Sequence, residues 1–521
     1  MTLTDASPEH PDAQPVASEP AAPRRDLLAP LRTPRARRLI DLAAPIGVVA
    51  LAATLRFANL GNPHELVFDE TYYVKDAFSL WQLGYEGQWP DDANAAFVDG
   101  ESTLQSTPSF VVHPPLGKWI LGLGMGLGGI DDPFAWRWPA ALVGVLVVVL
   151  TMLVARGLTR SWTFGALAGL LLAIDGQAIV MSRTVLLDQT LALFVLAAAA
   201  ALLLDRRGAP ARIVRWRHAH PGSWLGPALW SRPWVVAAGA LLGAACAVKW
   251  SGLYFVAAFG LWSVALDALD RRRAGIRGWH VGTLLTQAPT SLVLVMLPAL
   301  AVYLVSWTGW FGGGYGSSWA RDNPGELLTG ALAWVPERLQ ALWHYHEQMW
   351  TFHVGLTNDH PFESPAWQWL LLLRPTAFLL HLDGDQMTFI TALANPVIWY
   401  PAVAALAVLL YRMGSRLDRT AAFLVVAVAA GYVPWLAFPD RTIFAFYTIV
   451  FEPFLVIGLA YLLWRLVHGC VRPTTALVGR IVVAALVVLA IAATIFFAPL
   501  WYGVWEHEDL LRLRYWLPGW R

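Results

Sequence analysis

The chain has 521 residues, 57% of them hydrophobic and 14% charged, with a mean hydropathy of +0.50. Soluble proteins carry about 25% charged residues, so this one lacks the polar surface for several water-facing domains; its apolar residues fall in runs long enough to cross a bilayer, the mark of a polytopic membrane protein. The formal charge of +1 gives no reason to expect nucleic acid as a partner, and Cys246 and Cys470 make neither a metal spacing nor a disulfide framework.

Residues 1–38 are rich in Pro and Ala, with Arg24, Arg25, Arg32, Arg35, Arg37 and Arg38 leading to the first apolar run. They read as a disordered cytoplasmic tail. The run 39–60 is too long for a signal-peptide core and reads as a retained first transmembrane helix. Ten more runs follow, at 134–156, 162–181, 185–204, 233–250, 252–269, 282–307, 395–411, 420–437, 442–464 and 480–498, giving eleven helices and an all-α fold. With the N-terminus inside, the inner segments hold 24 of the 37 basic residues, which fixes the orientation and puts the C-terminal tail, 499–521, outside. Two long outer loops, 61–133 and 308–394, divide the chain into an N-terminal module over 39–307, the second loop, and a C-terminal four-helix module over 395–498. Both loops hold semi-apolar stretches suited to interfacial helices, and long ordered loops are where function sits.

The first outer loop opens with Phe68-Asp69-Glu70-Thr71-Tyr72-Tyr73. Adjacent carboxylates at a membrane surface are costly to desolvate. One reading makes Asp69 the N-cap of an amphipathic helix whose Tyr73, Ala77, Phe78 and Trp81 lie on the membrane. The other makes the pair catalytic, and the two are compatible. Four cations, Arg137, Arg183, Lys249 and Arg441, map to outer helix ends against the positive-inside trend, so each needs a local reason to be there. Pairing is one such reason, Arg183 with Asp188 or Arg441 with Asp440; an anionic substrate is another. His344, His346, Glu347 and His353 lack the His-Glu-x-x-His spacing of a zinc site and read as part of a structural or substrate-lining helix.

Asp69-Glu70, then His113-Pro114-Pro115-Leu116-Gly117-Lys118, Arg137, Ser182-Arg183-Thr184-Val185-Leu186-Leu187-Asp188, Lys249-Trp250-Ser251-Gly252, His360-Pro361-Phe362-Glu363-Ser364, and Arg441 with Phe446-Tyr447 occur in that order. This ordered set resembles the protein O-mannosyltransferase family over about residues 39–500, in a bacterial, actinobacterial-type form whose second loop has no room for a large soluble domain. The resemblance implies a GT-C-type membrane glycosyltransferase that moves mannose from a polyprenyl-phosphate-mannose donor to Ser or Thr hydroxyls of secreted proteins on the outer face of the cell membrane.

A sugar phosphate ester has a good leaving group, whereas a neutral hydroxyl is a poor nucleophile and needs a base. One carboxylate then suffices for direct displacement with inversion, unlike the pair in a glycosidase. The resemblance makes Asp69 that base and Glu70 its partner in orienting the acceptor. It places Arg137 at the departing phosphate; Lys249 and Arg441, also at outer helix ends, are further candidates for that phosphate, and Arg183, Asp188, His113, Lys118 and His360 are candidates for the architecture of the site. No protein metal site is expected, and a divalent cation is the one cofactor left open. The secretion channel is a further candidate partner, because unfolded chains expose their hydroxyls where they emerge. Two alternatives stand beside this reading: a related transferase acting on a glycan or lipid, and a lipid flippase or transporter, against which the scarcity of mid-helix acids and of inverted repeats argues.

Overall fold

A computed structural model describes residues 34–469 and 473–521; most of the expected cytoplasmic tail, and Cys470, lie outside them. All eleven expected runs contain helix. The main elements are α1 (Pro34–Phe57), α2 (Glu70–Leu83), α3 (Pro133–Thr159), α4 (Trp162–Ala173), α5 (Gly176–Arg183), α6 (Leu187–Asp205), α7 (Pro233–Cys246), α8 (Gly252–Arg273), α9 (Ala288–Ser306), α10 (Glu337–Gly355), α11 (Pro396–Arg416), α12 (Arg419–Tyr432), α13 (Glu452–His468) and α14 (Pro473–Tyr502). Among the described residues, seven helical stretches are long and apolar enough to cross a bilayer, and eight if the bent pair α4–α5 counts as one span.

Several boundaries differ from the hydropathy reading, each for a local reason. The run 162–181 breaks at Ile174–Asp175, where α4 and α5 meet at 67°. Asp175 restarts the helix by accepting from the Ala178 N–H at 3.2 Å. Arg56, fully buried on α1, donates to the Leu172 and Ala173 carbonyls that the break frees, so the bend leaves few backbone groups unsatisfied away from water. The run 442–464 becomes helical only from Glu452, because Ala445–Val450 forms a tighter 3-10 stretch. The run 282–307 opens with a π-helical turn at Thr283–Gln287. α7 lies against α9 through Gly239 and Gly243, a Gly-x-x-x-Gly pair; a Cβ at Gly243 would sit 2.3 Å from the Ala299 carbonyl oxygen. Only small residues allow that approach.

Hydropathy gave no sign of a small antiparallel sheet. β1 (Thr376–Asp383) and β2 (Gln386–Ala392) form a hairpin in the second long loop, and β3 (Glu506–His507) of the C-terminal tail pairs with β2. Trp520 at the end of the tail is buried and donates to the Leu372 carbonyl at 2.5 Å. The tail and the second loop therefore share one end of the bundle. The first long loop lies there too, since His381 of β1 meets Glu65 at 2.9 Å.

Candidate active site

α2 begins at the Asp-Glu pair, and its two carboxylates have opposite surroundings. Phe68 adopts a left-handed conformation, φ 51°, and Asp69 follows as the cap residue of α2. Only the backbone of Asp69 serves the helix: its carbonyl accepts from the Tyr72 and Tyr73 N–H groups at 3.0 Å, while its carboxylate makes no capping bond. The expected membrane-facing stripe of α2 is corrected in the same way. Ala77 and Phe78 are buried in the protein core, and it is Tyr72, not Tyr73, that is largely exposed.

Glu70 is completely buried. Its carboxylate accepts from the Val67 N–H at 3.0 Å, the Val185 N–H at 3.0 Å, and Arg137 Nε and Nη2 at 3.0 and 2.8 Å. Arg137 also donates to the carbonyls of Pro63 and Glu65, both at 2.7 Å. That leaves the guanidinium 1% exposed with four of its hydrogen bonds directed into the protein. Arg137, expected at a donor phosphate, is paired here with Glu70, which supplies its counter-charge. Glu70 has no oxygen left for an acceptor. Together they tie the start of α2 to α3 and to the α5–α6 turn.

Asp69 has no hydrogen-bond or ion-pair partner among the described residues. Its burial pushes the carboxyl up from 3.8 to about 6, the nearby Lys249 ammonium pulls it partly back, and Asp188 pushes it further. Lys249 sits in the turn between α7 and α8 with its Nζ 3.0 and 3.1 Å from the two oxygens of Asp188 and 4.7 Å from the centre of the Tyr447 ring. Asp188 therefore pairs with Lys249 and not with Arg183. Arg183 donates to the carbonyls of Arg56, Ala58 and Asn59 just past α1, at 3.1, 2.7 and 3.1 Å, as a cation does at a helix C-terminus.

Lys249 lines a cleft of about 170 Å³ together with His113, Trp250, His353, Arg441 and Tyr447. Arg441 does not pair with Asp440. It donates to the His353 carbonyl at 2.9 Å and to the His353 ring at 3.2 Å, and its Nη1 is buried with no partner among the described residues. His353 stacks on His113 at 5.1 Å. Burial, aided by the neighbouring cations, holds both imidazoles neutral, His113 well below its usual range and His353 at about 4. Trp250, Leu253 and Trp350 also wall a second, apolar cleft of about 370 Å³ between α8 and α9. A charged cleft thus shares a wall with an apolar one.

Two of the remaining expected residues act from behind this arrangement. Lys118 is buried and bonded to Glu86 at 2.6 Å and Asp76 at 3.4 Å. His360 packs edge-on against Phe68 and Phe444. Among the described residues, no group of three or more His, Cys, Asp or Glu gathers into a metal-binding cluster. His346 accepts from the Tyr303 hydroxyl at 2.6 Å, and that oxygen also accepts from Trp250 Nε1 at 3.0 Å. His353, Tyr447 and Trp435 had not been assigned to the site from sequence. Tyr447 stands within the Phe446-Tyr447 motif and His353 within the histidine-rich helix, and the place of His353 follows from α10 folding back over residues 111–113.

Two family descriptions cover most of the chain. Residues 47–311 match the dolichyl-phosphate-mannose-protein mannosyltransferase family, and 338–520 match the C-terminal four-transmembrane region of protein O-mannosyltransferase. Curated relatives named polyprenol-phosphate-mannose–protein mannosyltransferase include one from Mycolicibacterium smegmatis strain MKD8, 34% identical over 91% of this chain and 92% of its own length. Another, from Corynebacterium glutamicum, is 32% identical over 91% and 92%. Among solved structures, the Saccharomyces cerevisiae protein O-mannosyltransferase Pmt1–Pmt2 complex bound to the sugar donor superposes with a TM-score of 0.69. It does so over 92% of each chain at 15% identity, a likeness of fold. With its GT-C-type helical fold, this multi-pass membrane protein belongs to the protein O-mannosyltransferase family.

Proposed function

We propose that the protein transfers mannose from a polyprenyl-phosphate-mannose donor to Ser or Thr hydroxyls of proteins, with Asp69 as general base, at the outer face of the cell membrane. The observation that carries the reading is an unpartnered, partly buried carboxylate within electrostatic reach of Lys249, which itself lines a cationic cleft that abuts an apolar one. A carboxyl raised to about 6 is ionised at neutral pH and more basic than an ordinary Asp, as a general base should be.

In the step itself, Asp69 takes the proton of the acceptor hydroxyl while that oxygen bonds to the anomeric carbon of mannose. The bond from that carbon to the phosphate oxygen breaks, its electron pair leaves with the polyprenyl phosphate, and the configuration inverts. Lys249 and the free Nη1 of Arg441 stabilise the charge that develops on the leaving phosphate. Asp188 holds Lys249 in place, the Glu70–Arg137 pair holds α2, and the apolar cleft accommodates the first isoprene units. The outward orientation places the reaction where a chain leaving the secretion channel still exposes its hydroxyls.

The test is purified protein in detergent with polyprenyl-phosphate-mannose and a Ser/Thr-containing peptide, followed by mass, with Asp69→Asn in parallel. One hexose added to a hydroxyl by the wild type and none by the variant is expected. Addition only to a glycan or lipid acceptor would replace the peptide in this reading, and wild-type turnover in Asp69→Asn would remove the base.

A further inference from the structure

Phe68 immediately precedes the base, and its backbone is out of the ordinary. Its φ of 51° lies in the left-handed region, which is unfavourable for an L-residue with a side chain. Non-glycine residues persist there when their surroundings over-determine them, and such positions cluster at functional sites. Here the surroundings are four rings from distant parts of the chain. Phe378 of β1 stacks on Phe68 with ring centres 4.8 Å apart and planes 14° from parallel. Phe444 and Phe446, from the segment before α13, meet it edge-on at 5.6 and 5.8 Å, and His360 does so at 5.9 Å.

We infer that Phe68 is a positioning residue for the transfer step: boxed by Phe378, His360, Phe444 and Phe446, it holds the left-handed turn that aims the Asp69 carboxylate toward Lys249. The inference rests on the base assigned above. Two features say that the box does more than fill space. An aromatic residue in a core seldom requires a positive φ, and a loop that only needed the turn would be served by glycine without strain. In addition, the next residue, Glu70, is fixed independently through Arg137, Val67 and Val185. Asp69 thus lies between two clamps, one gripping each neighbour, while its own side chain bonds to nothing among the described residues. That is how a base can be held in direction without being neutralised by a hydrogen-bond partner. Because Phe378 and His360 both belong to the second outer loop, that loop sets the aim of a residue on the first.

The test measures steady-state transfer, normalised to the amount of enzyme that binds donor, for wild type, Phe68→Ala, Phe378→Ala, Phe68→Tyr and Asp69→Asn. Misplacing a reacting group by about 1 Å costs on the order of 10²-fold in rate. Phe68→Ala and Phe378→Ala are each expected to lower kcat by about tenfold to a hundredfold, with donor KM unchanged because Lys249 and Arg441 are untouched. Their acid limb should move to lower pH, since a loosened Asp69 is better hydrated. Phe68→Tyr, which keeps the ring, should recover most of the rate. A purely structural role would reduce the amount of donor-binding enzyme and leave kcat and the limb per binding site as in wild type; that result overturns the inference. If Phe68→Ala does not yield folded protein, Phe378→Ala and Phe68→Tyr decide the matter by the same readouts. Asp69→Asn separates the two levels of the argument. An inactive Asp69→Asn beside a wild-type-like Phe68→Ala sinks Phe68 alone, whereas an active Asp69→Asn sinks the base and this inference with it.

Discussion

Glu70→Gln and Asp69→Asn are isosteric changes at adjacent residues, and the surroundings of the two carboxylates give them opposite consequences for stability. Glu70 takes four hydrogen bonds on two oxygens, two of them from the buried Arg137. A glutamine offers one acceptor oxygen and turns an NH2 group toward donors, so Arg137 keeps a buried charge with no counter-charge. Removing one partner of a buried pair costs about 3–5 kcal/mol. Asp69 has no partner to lose, and its folded-state carboxyl holds its proton up to about pH 6 instead of 3.8. The unfolded chain therefore releases that proton first as pH rises, and stability falls between about pH 4 and 6. At ~1.36 kcal/mol per pH unit, the ionised group costs at most about 3 kcal/mol above pH 6, less in proportion to the water that reaches it. Asn removes that cost. In detergent thermal melts at pH 8, Glu70→Gln should unfold well below wild type and Asp69→Asn at or above it, with the advantage of Asp69→Asn shrinking as the pH is lowered from 6 to 4. Mannose transfer by Asp69→Asn should be absent although it is the more stable protein. A Glu70→Gln variant that melts with wild type would refute the locked pair. An Asp69→Asn variant whose advantage is the same at pH 5 and pH 8 would refute the desolvated base.

The wild-type kcat/KM should rise through a single limb near pH 6 as Asp69 loses its proton; a profile flat from pH 5 to 8 argues for another base. Arg441→Ala removes the free Nη1, a charge-assisted contact of roughly 1.5–3 kcal/mol, so the donor KM should rise about tenfold to a hundredfold while peptide KM stays put. Arg137→Met strands the buried Glu70 carboxylate and should lower the melting temperature; a raised donor KM at an unchanged melting temperature would return Arg137 to the phosphate. Labelled acceptor peptide added outside sealed right-side-out vesicles should be modified, whereas labelling confined to inverted vesicles would reverse the orientation.

The helical frame was legible because a bilayer demands about twenty apolar residues per crossing, and that demand writes itself into hydropathy. What hydropathy could not carry were the features set by single side chains. The break at Ile174–Asp175 falls where Asp175-Gly176-Gln177 interrupts a run whose overall hydropathy still reads as one span, and the bend depends on Arg56, more than a hundred residues away. The β1–β2 hairpin occupies a loop whose length alone was informative. In the candidate site, the motif Asp69-Glu70 marked two adjacent carboxylates, but sequence could not say which is free and which is locked, because Arg137 and Val185 decide it from afar. The same limit applies to Arg137, which pairs with Glu70: a cation at an outer helix end has a local reason to be there, and from sequence alone a phosphate and a buried glutamate are equally good reasons. Asp188 pairs with Lys249, 61 residues away, and not with Arg183, only five away, which sequence proximity had suggested.

A base at a membrane surface faces conflicting demands that this arrangement reconciles. To be basic it must be partly dry, and to be free to take a proton it must not be paired, yet an unpaired carboxylate away from water is unstable and tends to swing toward solvent. Fixing the backbone on both sides removes that escape. Glu70 accepts the pairing and anchors the helix, Phe68 accepts the strain and anchors the turn, and Asp69 between them retains an unsatisfied carboxylate. The cations are divided by the same logic. Arg137 and Arg183 are engaged with protein groups, so they shape the site without adding charge to it. Lys249 is paired with Asp188 while lining the cleft, and Arg441 keeps one nitrogen free. In the proposed mechanism, a graded set of this kind would leave positive charge to hold a phosphate monoester as it departs, while keeping Asp69 basic enough to deprotonate a hydroxyl. Neutralising Asp188 as Asn would disturb that balance in a definite direction: Lys249 would be freed, donor affinity would rise, and the limb near pH 6 would move lower as Asp69 came under an uncompensated ammonium charge. A limb that stays in place while donor affinity rises would show that Lys249 does not reach the base.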